Sequence, residues 1–231
     1  MEIELVVFDM AGTTVKDKNY VGLAFQQAMK SRGYDVPLTE INPIMGYEKP
    51  LAIKMILEKI GVSEISEDLI SKIHEEFVRT MLQFYQESEE IEALPEVEQT
   101  FAALRGAGIK IALNTGFSRD IALVIINRLG WESKIDMLIA SDEVAHGRPY
   151  PDMINELMHR LHISSPGAVA KVGDTEVDIN EAKNAGCAYA IGITTGAFTR
   201  EALLPYQPTH IIDNMAALLD ILEINVEKLS Q

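Results

Sequence analysis

The stretch Ile3-Glu4-Leu5-Val6-Val7-Phe8-Asp9-Met10-Ala11-Gly12-Thr13-Thr14 holds a short apolar run that stops at an aspartate. A run of this length with little alternation is the pattern of a strand covered on both faces, the condition of a parallel sheet. The glycine and threonines behind the aspartate have the composition of a turn at the strand's carboxyl end. The same change recurs twice: Ile109 to Leu113 runs into Asn114-Thr115-Gly116, and Ala168 to Val172 runs into Gly173-Asp174-Thr175.

Further buried strands are expected at Met137 to Ala140, Ala188 to Ile193 and His210 to Ile212. Amphipathic stretches separate them, at Pro95 to Arg105, Ser118 to Leu129, Pro151 to Leu161, Glu176 to Asn184 and Asn214 to Leu222. Strand and helix in alternation predict an α/β fold, a doubly wound parallel sheet with helices on both faces. From about Asp17 to about Ala93 only helical patterns occur: Tyr20 to Arg32, Pro50 to Ile60 and Glu67 to about Gln86. The expected organisation is therefore a core of residues 1–16 and 94–231 with a helical cap, 17–93, inserted after the first strand. An insertion there stands over the crevice in which such sheets bind ligands.

The 231 residues carry 35 acidic and 20 basic side chains, a formal net charge of -15. A field of that sign repels phosphate backbones, which argues against nucleic acid as a partner. It does not exclude a small anion, because a pocket's field is set by a few local charges. The amino terminus lacks the basic region of a secretory signal, and no apolar run approaches the roughly 20 residues that span a bilayer. The single cysteine, Cys187, forms no internal disulfide and fits a reducing cytoplasm. Its small apolar neighbours predict a buried side chain rather than a reactive thiol. The acidic run Glu87 to Glu92 reads as a solvated face or hinge.

In a parallel sheet the three polar strand ends converge on one edge. Carboxylates sharing that edge repel one another unless a positive charge lies between them. A hard divalent ion, Mg2+, suits carboxylate, carbonyl and water ligands better than zinc does. Asp9 and Asp174 are its expected ligands, and Asp178, one helical turn beyond Asp174, points back toward the same strand end. The bland alternative is that Asp174 merely caps the helix that follows. Gly12, Gly116 and Gly173 let the backbone turn and present N–H groups, while Thr13 or Thr115 can donate to phosphoryl oxygens. Arg148, in His146-Gly147-Arg148-Pro149-Tyr150-Pro151, offers a cation in a rigid turn before a helix.

Taken in order, VVFDMAGTT, LNTG, GRPYPD and KVGDTEVD resemble the four motifs of the haloacid dehalogenase superfamily, with a cap after the first. Within it they look most like the phosphonatase family, phosphonoacetaldehyde hydrolase, which cleaves a carbon–phosphorus bond. The resemblance implies a nucleophilic Asp9 that becomes a phosphoaspartate, and phosphoryl contacts from Thr115 and Arg148. It also implies Mg2+ held by Asp9, the Ala11 carbonyl and Asp174, with Asp178 close by. Ala11, Gly12, Thr13, Met45, Gly46, Asn114, Thr115 and Gly116 are placed around the substrate.

Phosphatases of the superfamily have a second aspartate two positions after the nucleophile, as acid for an alkoxide leaving group. Here that position is Ala11, and a general acid is worth about 100-fold to 10,000-fold. The phosphonatases share the alanine, because a cap lysine forms a Schiff base and turns the departing carbon into an enamine. Lys49, in Met45-Gly46-Tyr47-Glu48-Lys49-Pro50, falls where that lysine stands. Pro50 suits the first position of a helix, which makes Lys49 the expected cap residue, with the helix dipole favouring its neutral amine. Glu48 pulls toward the ammonium. The phosphonatase histidine three positions later is Ala52 here, and His74 lies far along the cap. A phosphomonoesterase, and from another class a noncatalytic phosphometabolite-binding module, are the alternatives. The resembling phosphonatases pair through their caps, and the apolar positions of Tyr20 to Arg32 permit such a homodimer or serve as cap core.

Overall fold

The computed structural model describes residues 2–224; residues 225–231, placed in the core by the sequence, and Met1 lie outside them. Six parallel strands form one sheet in the order β3-β2-β1-β4-β5-β6: β1 Leu5–Phe8, β2 Lys110–Thr115, β3 Met137–Ala140, β4 Val169–Gly173, β5 Tyr189–Ile193 and β6 His210–Ile212. The chain starts at the centre, builds outward through β2 and β3, then returns to the other side of β1 for β4 to β6. The crevice at that reversal lies over the carboxyl end of β1, where open α/β sheets bind ligands.

The helices are α1 Tyr20–Lys30, α2 Leu38–Ile41, α3 Lys49–Lys59, α4 Glu67–Glu87, α5 Val97–Gly106, α6 Arg119–Leu129, α7 Asp152–Leu161, α8 Glu176–Ala185, α9 Arg200–Leu203 and α10 Ala217–Ile221. Short apolar strands survive here because both faces are covered. Val6, Phe8, Ile111, Leu113, Ala170 and Val172 face α5, α6 and α10, whereas Leu5, Val7, Ala112 and Val169 face α7. Helix ends follow their local chemistry. Gly130 and Gly186 take left-handed conformations after α6 and α8, and Ser66 accepts from the Leu69 amide to start α4.

Register sets the edge of the sheet. Phe8 lies level with Leu113 on one side and Val172 on the other, so Asp9, Asn114 and Gly173 follow at one height. The strand runs over into the polar residues: β2 includes Asn114 and Thr115, and β4 includes Gly173.

Between β1 and α5, residues 17–93 contain helices and turns but no strand, apart from an isolated bridge pairing Val15 with Ala93. The two connections run side by side, with the Lys16 amide donating to the Glu92 carbonyl and the Leu94 amide to the Thr14 carbonyl. Glu90 and Glu92 of the acidic run are exposed and pair with Lys18 and Lys16 across these connections. The apolar face of α1 turns inward, where the Phe25 and Phe77 rings meet edge to face at 6.1 Å, and leaves Leu23 about half exposed. The end of α4 is fastened to α6, whose Arg128 guanidinium donates to the carbonyls of Tyr85 (3.0 Å) and Ser88 (2.8 Å). Among the described residues no helix is long and apolar enough to cross a membrane.

Candidate active site

The turn after β1 is tight. The amides of Thr13, Thr14 and Val15 all donate to the Met10 carbonyl, and the Thr14 hydroxyl donates to the Asp9 carbonyl at 2.9 Å. Asp9 therefore sits at the strand end with its backbone fixed. Asp174, two residues past Val172, and Asp178 join it, and oxygens of the three carboxylates lie within 4.8 Å of one another.

Asp174 does not cap α8. Thr175 does, in a capping box with Asp178: the Thr175 amide and hydroxyl both donate to the Asp178 Oδ2, at 3.2 and 2.7 Å. That leaves Asp174 over the crevice, where it accepts from the Ala197 amide at 2.6 Å and the Thr13 hydroxyl at 3.3 Å. Gly173 makes the arrangement fit, since a methyl group there would lie 2.1 Å from the Asp178 Cγ.

Two cations are built into this cluster. Arg148 is buried and donates to the Asp9 Oδ1 at 2.7 Å and also to the Asp178 Oδ1. Lys171 is fully buried, 3.0 Å from the Asp178 Oδ1, and donates to the Asn114 Oδ1 at 2.6 Å. Burial alone raises a carboxyl pKa, but Arg148, Lys171 and Thr175 hold Asp178 at about 2. Asp9 and Asp174 are not so compensated. Burial pushes both up, Asp174 strongly, and the negative charges of Asp9 and Asp178 add to the shift at Asp174. Asp174 thus has excess negative surroundings and hydrogen-bond partners for only part of its charge. An all-oxygen donor set of this kind fits a hard divalent cation.

Facing the carboxylates is a cavity of about 300 Å³. The segment Met45-Gly46-Tyr47 closes one side and is wedged between the ends of β2 and β4: a methyl group on Gly116 would lie 2.8 Å from the Tyr47 carbonyl oxygen. Lys49 follows it as the first residue of α3, and Glu48 rather than Lys49 is the cap residue, one position from the expectation. Lys49 lines the same cavity as Asp9 and is only 2% exposed. Its Nζ donates to the carbonyls of Met45 (2.8 Å) and Tyr47 (3.0 Å) and lies 5.7 and 5.9 Å from the ring centroids of Phe117 and Phe77. Burial, with the Arg148 charge second, lowers its pKa to about 7, against the opposing pull of Asp9 and Asp17. Glu48 packs against Gly147 and is not among the charges that act on Lys49.

Of the residues expected around a substrate, Ala11, Gly12, Met45, Gly46, Thr115 and Gly116 line the cavity with Asp9, Lys49, Arg148 and Asp174. Thr13, Asn114 and Asp178 lie buried beneath it. Asn114 shares the sheet face of Ala112, so its amide turns toward α8, donating to both Glu181 oxygens at 2.8 and 3.0 Å. That is a correction to its placement beside the substrate. Burial raises the Glu181 pKa to about 7 even with Lys171 close by. The sequence did not point to Asp17, Asn19, Asn42, Phe117, Thr175, Gly196 or Ala197, which also line the cavity. Cys187 is part-buried rather than enclosed, and burial followed by the Glu181 charge pushes its thiol up to about 12, which keeps it protonated and unreactive.

A parallel sheet with clustered carboxylates and two buried cations at its central switch point has the make-up of an α/β enzyme's active site. The model of the haloacid dehalogenase-like hydrolases matches residues 3–186, and this chain belongs to that family of hydrolases. Within it, the phosphonoacetaldehyde hydrolase of Latilactobacillus sakei is 30% identical over 228 residues, covering 92% of this chain and 82% of its own. One from Bacillus cereus is 30% identical over 208 residues, covering 85% and 78%. A phosphonoacetaldehyde hydrolase-like protein from Oleispira antarctica superposes with a TM-score of 0.82 over 100% of this chain and 95% of its own, at 21% identity. At that identity the last shows the shared fold.

Proposed function

We propose that this chain hydrolyses the carbon–phosphorus bond of a small aldehyde phosphonate of the phosphonoacetaldehyde type, by way of a phosphoaspartate on Asp9. The observation that carries this is Lys49: a buried amine, its pKa lowered to about 7, in one cavity with Asp9. A structural lysine has no need of such a place, whereas a nucleophilic amine must be neutral. The relatives at 30% identity bear the name of that activity.

The Asp9 carboxylate attacks phosphorus while Arg148 holds it by the Oδ1. The Nε of Arg148 is buried without a partner, a donor free for a phosphoryl oxygen. The Thr115 oxygen accepts from the Phe117 amide at 3.2 Å, which leaves its own hydrogen to give to the same group. Lys49 adds to the aldehyde, and the iminium takes up the electron pair of the breaking bond; water then hydrolyses the phosphoaspartate. Asp9, the Ala11 carbonyl and Asp174 would hold Mg2+, with Asp178 reached through water because both its oxygens already have partners. Bound there, the ion supplies charge neutralisation between the nucleophile and the phosphoryl oxygens. In this reading residues 17–93 are the cap, the protein works in the cytoplasm on a small anion, and Leu23 on α1 is the apolar point of a cap-to-cap homodimer.

Ala11 argues against the phosphomonoesterase, since its methyl group lines the cavity where an acid is required. The test is phosphate release from phosphonoacetaldehyde and from a panel of phosphate esters, with Asp9→Asn as the blank, alongside borohydride trapping. Trapping on the wild type that is absent in Lys49→Arg supports the phosphonatase. Ester turnover without trapping makes the protein a phosphatase.

A further inference from the structure

One carboxylate in the cavity belongs to neither the metal cluster nor the motifs. Asp17 stands between β1 and α1 and lines the cavity together with Lys49. Its Oδ1 accepts from the Tyr20 amide at 2.6 Å, which fixes the side chain at the start of α1. Lys49 and Asp17 act on each other's charge, so the two are electrostatic neighbours across the substrate space.

The chemistry at Lys49 needs such a group. Adding an amine to an aldehyde and expelling water moves protons onto the carbonyl oxygen, and Ala52 leaves the position of the phosphonatase histidine without a group to supply them. Among the described residues His74 also feels the Lys49 charge, but it does not line the cavity. Asp9 and Asp174 are committed to phosphorus and the cation.

We propose that Asp17 is the acid–base residue of Schiff-base formation at Lys49. This rests on the phosphonatase reading above. The Lys49 Nζ lone pair forms the C–N bond while the carbonyl π pair moves to oxygen, which takes the proton of the Asp17 carboxyl. The ammonium nitrogen of the adduct returns one proton to Asp17. Asp17 then protonates the hydroxyl, which leaves as water as the nitrogen lone pair closes the C=N bond. The products are iminium, water and Asp17 carboxylate; after the C–P bond breaks, the enamine carbon takes a proton from solvent to become an iminium again, and the reverse sequence releases the product aldehyde and restores the acid.

Burial raises the Asp17 pKa despite its backbone hydrogen bonds, which favours the protonated carboxyl this cycle starts from. Close by, the Tyr85 hydroxyl is buried with no partner, and the Asp17 and Asp9 charges both act on it.

The experiment follows borohydride-trapped adduct on the full-length enzyme with phosphonoacetaldehyde. Asp17→Asn still accepts from the Tyr20 amide but holds no transferable proton, so adduct formation should slow about 100-fold, and Asp17→Glu should recover part of it. Asp17→Ser, which also keeps a hydroxyl acceptor for Tyr20, should be accelerated by added formate, an effect a purely structural role would not give. Trapping by Asp17→Asn within about threefold of wild type, or slow Asp17→Ser without formate rescue, overturns the role of Asp17. Absence of any adduct on the wild type instead brings down the phosphonatase reading, and this one with it.

Discussion

Gly46 and Thr175 approach so closely that a methyl group on Gly46 would fall 2.3 Å from the Thr175 Oγ1, and 2.2 Å from a Val177 methyl carbon. Gly46 belongs to the segment that carries Lys49, and Thr175 begins the helix that carries Asp178. Their contact therefore sets the distance between the amine and the carboxylates.

Gly46→Ala must push the two apart. Misplacing a reacting group by about 1 Å can cost around 100-fold in rate. The expected outcome is a loss of that order in both adduct formation and phosphate release, with a stability cost of about 1–3 kcal/mol from the overpacked contact. Full activity in a folded Gly46→Ala protein would show that Lys49 is not held by this contact.

The state of Lys49 fixes a pH dependence. Its folded pKa is lowered to about 7, so the neutral amine increases as pH rises through about 7, and in Asp17→Asn, which has no acid to lose, the rate of trapping should follow it. The stability sign is opposite to that of a paired lysine. The unfolded chain binds the proton that the folded one sheds, so stability climbs with pH between about 7 and the ordinary lysine range. Lys49→Met should accordingly raise the melting temperature, most at pH 6 and least near pH 10. Thermal denaturation of both proteins across that range checks it.

At Asp174 the carboxyl is driven up by burial and by Asp9 and Asp178. The folded state then holds a proton that the unfolded state has released, so without divalent ions stability falls as pH rises through that carboxyl's titration. Asp174→Asn should be more stable than wild type in EDTA at neutral pH. Adding Mg2+ should reverse the order, because only the wild type gains by binding; at 100 times Kd the gain is about 2.7 kcal/mol. Calorimetry with and without Mg2+ reads both effects.

Ala11→Asp would return an acid to the position that lines the cavity beside Asp9. Phosphate esters, whose leaving oxygen needs a proton, should be hydrolysed at least about 10-fold faster. Trapping at Lys49 should change little. Parallel assays on one ester and on phosphonoacetaldehyde separate the two.

The sheet, its helices and the converging strand ends were legible because apolar runs and polar stops are local signals. Asn114 was misplaced because its direction depends on strand parity: β2 continues through Thr115, and its even-numbered side chains turn to the sheet face covered by α7 and α8, where Asn114 meets Glu181. Lys171 stands in its motif but had no role legible in the sequence, since its counter-charges Asp178 and Glu181 arrive from α8. Asp17 was hidden for a similar reason. It sits in an ordinary polar connection, and only the folding of α3 over the sheet brings Lys49 to it. The Lys49 pKa is lowered mainly by burial, whereas the sequence had suggested a helix terminus opposed by Glu48.

Asp9 and Lys49 line one small cavity, and the segment that carries Lys49 is held against Thr175 at Gly46. On the proposed phosphonatase reading the cavity would act as a ruler: a molecule would be accepted when its phosphorus and its carbonyl carbon are spaced to reach Asp9 and Lys49 together. One with a longer chain between them would satisfy either end but not both, so selection among phosphonates would be by span rather than by charge.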